Sequence, residues 1–413
     1  MYIKLGLPKW ITCFLKEIIS KWNLEVKAGL ETFFSKNVER GILQGDSLSP
    51  LLFVLCIDPL SRRLNERYSK VVVHAEEALH ATNHFLFIDD LKLFSKDSIV
   101  MGSMVEEAES FFSAIGLEIN RDKSATNDPL CEETARLLND AGVYKYPGII
   151  ENRGSNIARE SFEKVKREMI MRDDRLCNSN LNAKNLFKAI NEHAISLINH
   201  HVGLQYLEPA DFAAIDQKVR LSLIKHNVHL KPGCKEKLYH PQNKMGRNFH
   251  SVEMKSECML LELWETLEKY KNISSIRTAI LKVMEQEKTH LSIINQYFKL
   301  RYSLEDVSVK SVINAQRDSL YGKINNKKLH EELYRAHLNE HINLKDSSTW
   351  MTHGNKYPRA DALYCYIQDR NVFWGETAPS CQHCGQAKKT IDQLATGCDR
   401  ILGMIIPEGI MRC

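Results

Sequence analysis

Apolar residues recur at helical spacing from the start of the chain. Trp10, Ile11, Phe14, Leu15, Ile18, Ile19 and Trp22 form one stripe and predict an amphipathic helix. The alternation Leu24-Glu25-Val26 and the pair Phe33-Phe34 predict a hairpin ending near Arg40-Gly41. After a glycine loop, Pro50 opens an apolar helix through Leu51, Leu52, Leu55, Leu60 and Leu64, with proline in the first turn. Residues 84–96 read HFLFIDDLKLFSK, two apolar strands separated by Asp89-Asp90. A helix over 104–115 stops at Gly116, followed by an expected strand over 117–120 and Lys123 in a polar turn. Residues 144–149 read as a last short strand, which makes the first 150 residues α+β. Beyond residue 155 strand signals almost vanish. Helical patterns run over 162–176, 183–202, 212–230, 257–269, 276–300 and 329–341. The stretch 356–413 is richer in proline and glycine and reads as a small appended module.

Composition narrows the class. A chain of 413 residues suits two or three domains, and 43% hydrophobic with 26% charged residues is globular, against disordered, collagen-like or coiled-coil chains. The longest apolar run, 51–57, is far short of a membrane span, and no basic-plus-apolar leader opens the chain, so no membrane partner is expected. Eleven scattered cysteines make no disulfide framework and suit a reducing compartment. Cys381 and Cys384 alone show ligand spacing, with Cys398 and Cys413 behind them. The formal charge is only +4, but residues 151–250 hold 17 lysines and arginines against 11 acids. A basic middle third suits a polyanion partner.

Adjacent carboxylates repel one another, and a divalent cation relieves that repulsion through hard oxygen ligands. Apolar strands on either side of Asp89-Asp90 would hold them on a rigid base, as two-metal phosphoryl transfer requires. A solvated Asp-Asp turn is the plain alternative. The loop ahead, with Gly41, Gln44, Gly45, Asp46 and Ser47 running into a helix start, would let backbone approach a nucleotide closely. A helix-capping turn would account for Ser47 and Ser49 but not for the whole string.

In order over residues 40–149, GILQGDSLSPLLF, FIDDLKLF, GLEINRDKS and YKYPGI look like four reverse-transcriptase motifs: motif B, the F/Y-x-D-D hairpin, motif D and the primer grip. They resemble especially the non-LTR, target-primed retrotransposon polymerases that carry a restriction-like endonuclease. LNAKNLFKAINEHAISLINHHVGL and KEKLYHPQNKMGR look like thumb segments of the same family, with Gln242 and Met245 where the family has an arginine and a second glycine. WMTHGNKYPRADALYCYIQDRNVFW followed by CQHC and GC resembles the family's linker and CCHC knuckle, which argues against group II intron maturases. The resemblance implies a partial right-hand polymerase palm over 1–150, a helical thumb over 151–300, and a linker with a degenerate zinc-knuckle-like tail over 301–413.

By the same resemblance Asp89 is the principal Mg2+ ligand with Asp90 beside it, and Phe87 lies below the primer end. Gln44 and Gly45 flank the templating pair and the incoming nucleotide, and Lys123 donates a proton to the leaving pyrophosphate. Cys381, Cys384 and Cys398 match three zinc ligands, with Gln393 in the histidine's place. RNA template, DNA primer and target, and dNTPs are the implied partners, and DNA integration in the nucleus the implied setting. The family's first catalytic aspartate has no match. The acids ahead of the loop are Glu17, Glu25, Glu31 and Glu39, so motif A and the fingers are expected upstream of Met1 and the endonuclease beyond Cys413, a fragment truncated at both ends. The expected function is RNA-directed DNA polymerisation by two-metal chemistry, slowed by that missing carboxylate. The alternative is a catalytically dead remnant that binds nucleic acid through its basic thumb.

Overall fold

The computed structural model describes residues 8–29, 31–38, 41–75, 78–139, 142–146, 149–154, 159–204, 207, 209–231, 233–327, 343–368 and 385. The chain divides into two compact units, Met1–Ala158 and Arg159–Cys413.

In the first unit, α1 (Lys9–Ser20) follows Pro8, and Leu15 with Trp22 closes on Leu52 in a small core. Strands β1 (Asn23–Ala28) and β2 (Glu31–Asn37) pair antiparallel with Val26 opposite Phe34. Helix α2 (Ser49–Arg67) carries Pro50 in its first turn. Helix α3 (Ser98–Ala114) is capped by Asp97, whose carboxylate accepts from the Ile99 N–H at 2.8 Å. Ile57, Leu60 and Leu64 of α2 pack on Met104, Ala108 and Phe111 of α3, the apolar faces that the spacing predicts.

The remaining strands are short: β3 (Val71–Ala75) with β4 (Ala78–Thr82), β5 (His84–Phe87) with β6 (Asp90–Leu93), β7 (Ala125–Thr126) with β8 (Arg136–Leu137), and β9 (Val143–Tyr146) with β10 (Ile149–Asn152). Among the described residues every sheet has two strands. The α+β class is observed, but two sequence expectations change. Residues 144–149 contribute to a hairpin and not to one strand. Residues 117–120 form no strand. At the end of α3, Gly116 adopts φ 79°, its N–H bonds to the Ser113 carbonyl at 3.0 Å, and the Leu117 N–H bonds back to Phe112 at 2.9 Å. This helix-closing motif consumes the donor a strand would need. The Asn120 side chain then accepts from the Lys123 N–H and starts a tight turn, Arg121–Lys123.

The second unit is helical. Helices α4 (Arg159–Cys177), α5 (Ala183–His193), α6 (Pro209–Lys225), α7 (Val252–Lys269), α8 (Ser275–Gln286), α9 (Ile294–Tyr302) and α10 (Val309–Asn325) precede a further helix, Pro358–Gln368. One core joins Phe162, Leu186, Ile190, Ile215, Leu261, Phe298 and Val312. The helix expected over 183–202 ends at His193 and continues as the tighter turn Ile195–His200. The one expected over 276–300 breaks at Lys288, which adopts φ 50° while the Thr289 N–H reaches back to the Met284 carbonyl at 3.0 Å. Lysine stands where such a terminus usually takes glycine, so no stop signal marks this break. The expected helix over 329–341 lies outside the described residues, as do Cys381, Cys384, Gln393, Cys398 and Cys413.

Buried polar groups tie this unit together. The Glu257 carboxylate is fully buried and receives Gln316 Nε2 at 2.8 Å, the Tyr297 and Tyr302 hydroxyls at 3.0 Å each, and Arg301 Nη1 at 2.7 Å. Arg247 is buried against the Phe187 ring at 4.3 Å and is ion-paired to Asp361. Its neighbour Gly246 has no room for a side chain, because a Cβ there would meet the His240 carbonyl oxygen at 2.0 Å. Met245 sits at φ 62°, in the left-handed region. That conformation suits glycine better than methionine. No helix among the described residues is long and apolar enough to cross a membrane.

Candidate active site

The acidic hairpin forms where the apolar pattern predicts it. Phe87 pairs with Asp90 across β5 and β6, which leaves Ile88 and Asp89 as a two-residue turn. Ile88 takes φ 56°. A β-branched residue is unfavourable there by roughly 1–2 kcal/mol, and such strain concentrates at functional turns. Asp89 is exposed and Asp90 half-buried. Burial raises the Asp90 carboxyl above the ordinary aspartate range, and the neighbouring Asp89 charge raises it further. Phe87 is 58% exposed, so its ring is available to a ligand and not consumed by packing.

Two sets of contacts hold this hairpin. At its base, Asn83 Nδ2 donates to the Leu64 and Tyr68 carbonyls at the end of α2. Asn83 Oδ1 lies 2.7 Å from His84 Nδ1, and Ser61 Oγ lies 2.8 Å from His84 Nε2. An acceptor on Nδ1 makes Nδ1 the protonated nitrogen, so Ser61 donates to Nε2 of a neutral ring. Burial lowers the His84 pKa and keeps it neutral. On the other side, Lys92 forms an ion pair with Glu151 of β10 and lies 5.7 Å and 5.2 Å from the Phe94 and Tyr146 ring centroids. Burial pushes the Tyr144 phenol up and that of Tyr146 to about 12, and the Asp90 charge adds to both. The Asp90 charge is thus felt by Tyr144 and Tyr146, and the Lys92–Glu151 pair ties β6 to β10. The YKYPGI string signalled the two tyrosines but not the Lys92–Glu151 pair.

The loop ahead of α2 carries Gly41 at φ 93° and Gly45 at φ 96°, conformations that exclude most side chains. Asp46 accepts from the Leu48 N–H at 2.8 Å, and Ser49 Oγ donates to the Leu43 carbonyl, so part of the string is a capping turn. Gln44 and Gly45 stand exposed. Among the described residues no hydrogen bond links either to the acidic hairpin. Lys123 is exposed, and its ammonium makes no hydrogen bond or ion pair among the described residues.

No group of three His, Cys, Asp or Glu residues converges on a metal position among the described residues. Asp89 and Asp90 nevertheless fit Mg2+, which takes one or two carboxylates and completes its octahedron with water and substrate phosphate. Burial first and the Asp89 charge second raise Asp90, and a cation at the turn would offset both. The zinc expectation falls on residues outside those described.

Residues 3–137 match a family model described as reverse transcriptase (RNA-dependent DNA polymerase). An 87-residue stretch is 38% identical to the retrovirus-related Pol polyprotein from type-2 retrotransposable element R2DM of Drosophila melanogaster. The chain resembles a non-LTR reverse transcriptase. The reverse-transcriptase match takes in the glycine loop, the acidic hairpin and Lys123, and ends ahead of β9. The alignment to the Drosophila protein covers 21% of this chain and 8% of that relative.

Proposed function

We propose that the chain is part of an RNA-directed DNA polymerase, and that the turn bearing Asp89 and Asp90 is its catalytic carboxylate pair. The strained turn within the matched segment carries this reading: two carboxylates on a packed hairpin, one half-buried and repelled by the other. A divalent ion held by Asp89 and Asp90 would supply positive charge to the reacting phosphate. Phe87 would support the primer end from its exposed position beside the turn. Gln44 and Gly45 would lie along the templating pair, where the open glycine backbone admits close approach. The Lys123 Nζ would hand its proton to the leaving pyrophosphate. RNA template, DNA primer and dNTPs are the substrates of this reading, with a further carboxylate supplied from outside the described residues. Zinc at Cys381, Cys384 and Cys398 and a role in nuclear DNA integration complete it.

A second reading, nucleic-acid binding without synthesis, is favoured by the basic excess over 151–250. Primer extension on a primed RNA template with Mg2+ separates the two. Incorporation that falls to background in Asp89→Asn supports the polymerase. Salt-sensitive binding of the primed template with no incorporation supports the second reading. Incorporation equal in parent and Asp89→Asn removes the hairpin from the mechanism.

A further inference from the structure

The helical unit encloses a half-open cavity of about 430 Å3 that none of the proposed polymerase residues line. Its size is that of a small-ligand site. Four cationic side chains reach it from separate parts of the chain: Arg220 on α6, Lys235 from the following loop, Arg301 at the end of α9 and Lys323 on α10. A solvated helix face places like charges along one helix. It does not gather them from four elements around one hollow.

The acids at the cavity offset Lys235 and Arg301 and, among the described residues, leave the other two cations unpaired. Asp216 accepts from Ser251 Oγ and from the Val252 and Glu253 N–H groups at 2.7 and 3.2 Å, which caps α7. Glu253 pairs with Arg301 at 2.8 Å, and Glu236 pairs with Lys235 at 4.0 Å as well as with Lys327. Arg220 and Lys323 are left with no hydrogen bond or ion pair among the described residues. Both line the same hollow, together with the polar Gln217 and Ser319. A planar guanidinium and a compact ammonium on residues lining one hollow suit phosphate oxygens, by a forked hydrogen bond and a point charge respectively.

We propose that this cavity binds a phosphate group, carried either by a free nucleotide or by a nucleic-acid strand. The assignment uses no residue of the acidic hairpin, and so it stands or falls apart from the polymerase reading.

Calorimetric titration of the full chain with adenosine 5′-monophosphate, and anisotropy with a short labelled single-stranded DNA, test it directly. Arg220→Gln and Lys323→Gln remove no internal partner, and thermal melting confirms that each variant folds. Each is expected to weaken binding roughly tenfold, as loss of a charge-assisted contact does. For the strand, each should also reduce the slope of affinity against salt by roughly 0.7. Lys310→Gln, exposed at the start of α10 and outside both the cavity and the basic stretch 151–250, should leave binding unchanged. Binding of the mononucleotide identifies a free-nucleotide site, and binding of the strand alone identifies a strand phosphate. Affinities equal in parent, Arg220→Gln and Lys323→Gln, or no binding of either probe, overturn the assignment.

Discussion

Arg247 and Asp361 lie 114 residues apart and form a buried ion pair that fastens the Pro358–Gln368 helix to the loop before α7. Arg247 also donates to the Val228 carbonyl and stacks on Phe187. Removing one member leaves the other charge buried without a counter-ion. Asp361→Ala should therefore lose roughly 3–5 kcal/mol in urea unfolding. A loss below about 1 kcal/mol would mean that Arg247 finds water or another acceptor.

Gly246 stands beside that arginine with a carbonyl oxygen where its Cβ would go. The obstruction is backbone, which cannot rotate away. Gly246→Ala is expected to cost roughly 1–3 kcal/mol, seen as a lower melting temperature of the helical unit. Gly322→Ala, where nothing lies within 4 Å, serves as the control and should be neutral or mildly stabilising.

The Asp90 carboxyl is raised by burial first and by Asp89 second. Deleting the neighbouring charge in Asp89→Asn should lower the Asp90 pKa without returning it fully to the ordinary range. Carboxyl-carbon NMR titration reads this directly. Added Mg2+ should lower it in the parent and far less in Asp89→Asn. An unchanged titration with and without Mg2+ would show that the turn holds no cation.

Asp173 is fully buried, and its carboxyl is pushed up to about 6, chiefly by burial. The unfolded chain loses that proton near 3.8, so stability falls as pH rises between these values and is flat above them. His229 works in the opposite direction. Burial lowers it to about 3, so the folded form stays neutral while the unfolded chain protonates below 6.5. Comparing parent with Asp173→Asn isolates the carboxyl. Between about pH 4 and pH 7 the variant should gain on its parent by on the order of 2 kcal/mol in denaturant unfolding. A constant difference across that range would place the Asp173 proton elsewhere.

What could be read in advance was local. Pro50 opening α2, Gly116 closing α3 and the apolar runs around Asp89 each act over a few residues, and each lies where the pattern put it. The errors were local too, but hidden in backbone geometry. Nothing in the letters of Leu117 says that its N–H is already spent on Phe112, or that Lys288 will adopt a glycine conformation. The support of the candidate site was illegible for another reason. Lys92 meets Glu151 across 59 residues, and Ser61 meets His84 across 23, contacts that exist only once the chain has folded.

The cluster around Glu257 has a consequence in time. Gln316 follows it by 59 residues, and Tyr297, Arg301 and Tyr302 also come after it, so a growing chain presents the carboxylate well before the groups that satisfy it. Until α9 and α10 emerge, docking α7 on its earlier neighbours would bury a charge with no donor. Stable docking of α7 is therefore favoured only once α9 and α10 are present. A chain released only as far as residue 296 would carry α7 with none of the four groups that satisfy Glu257.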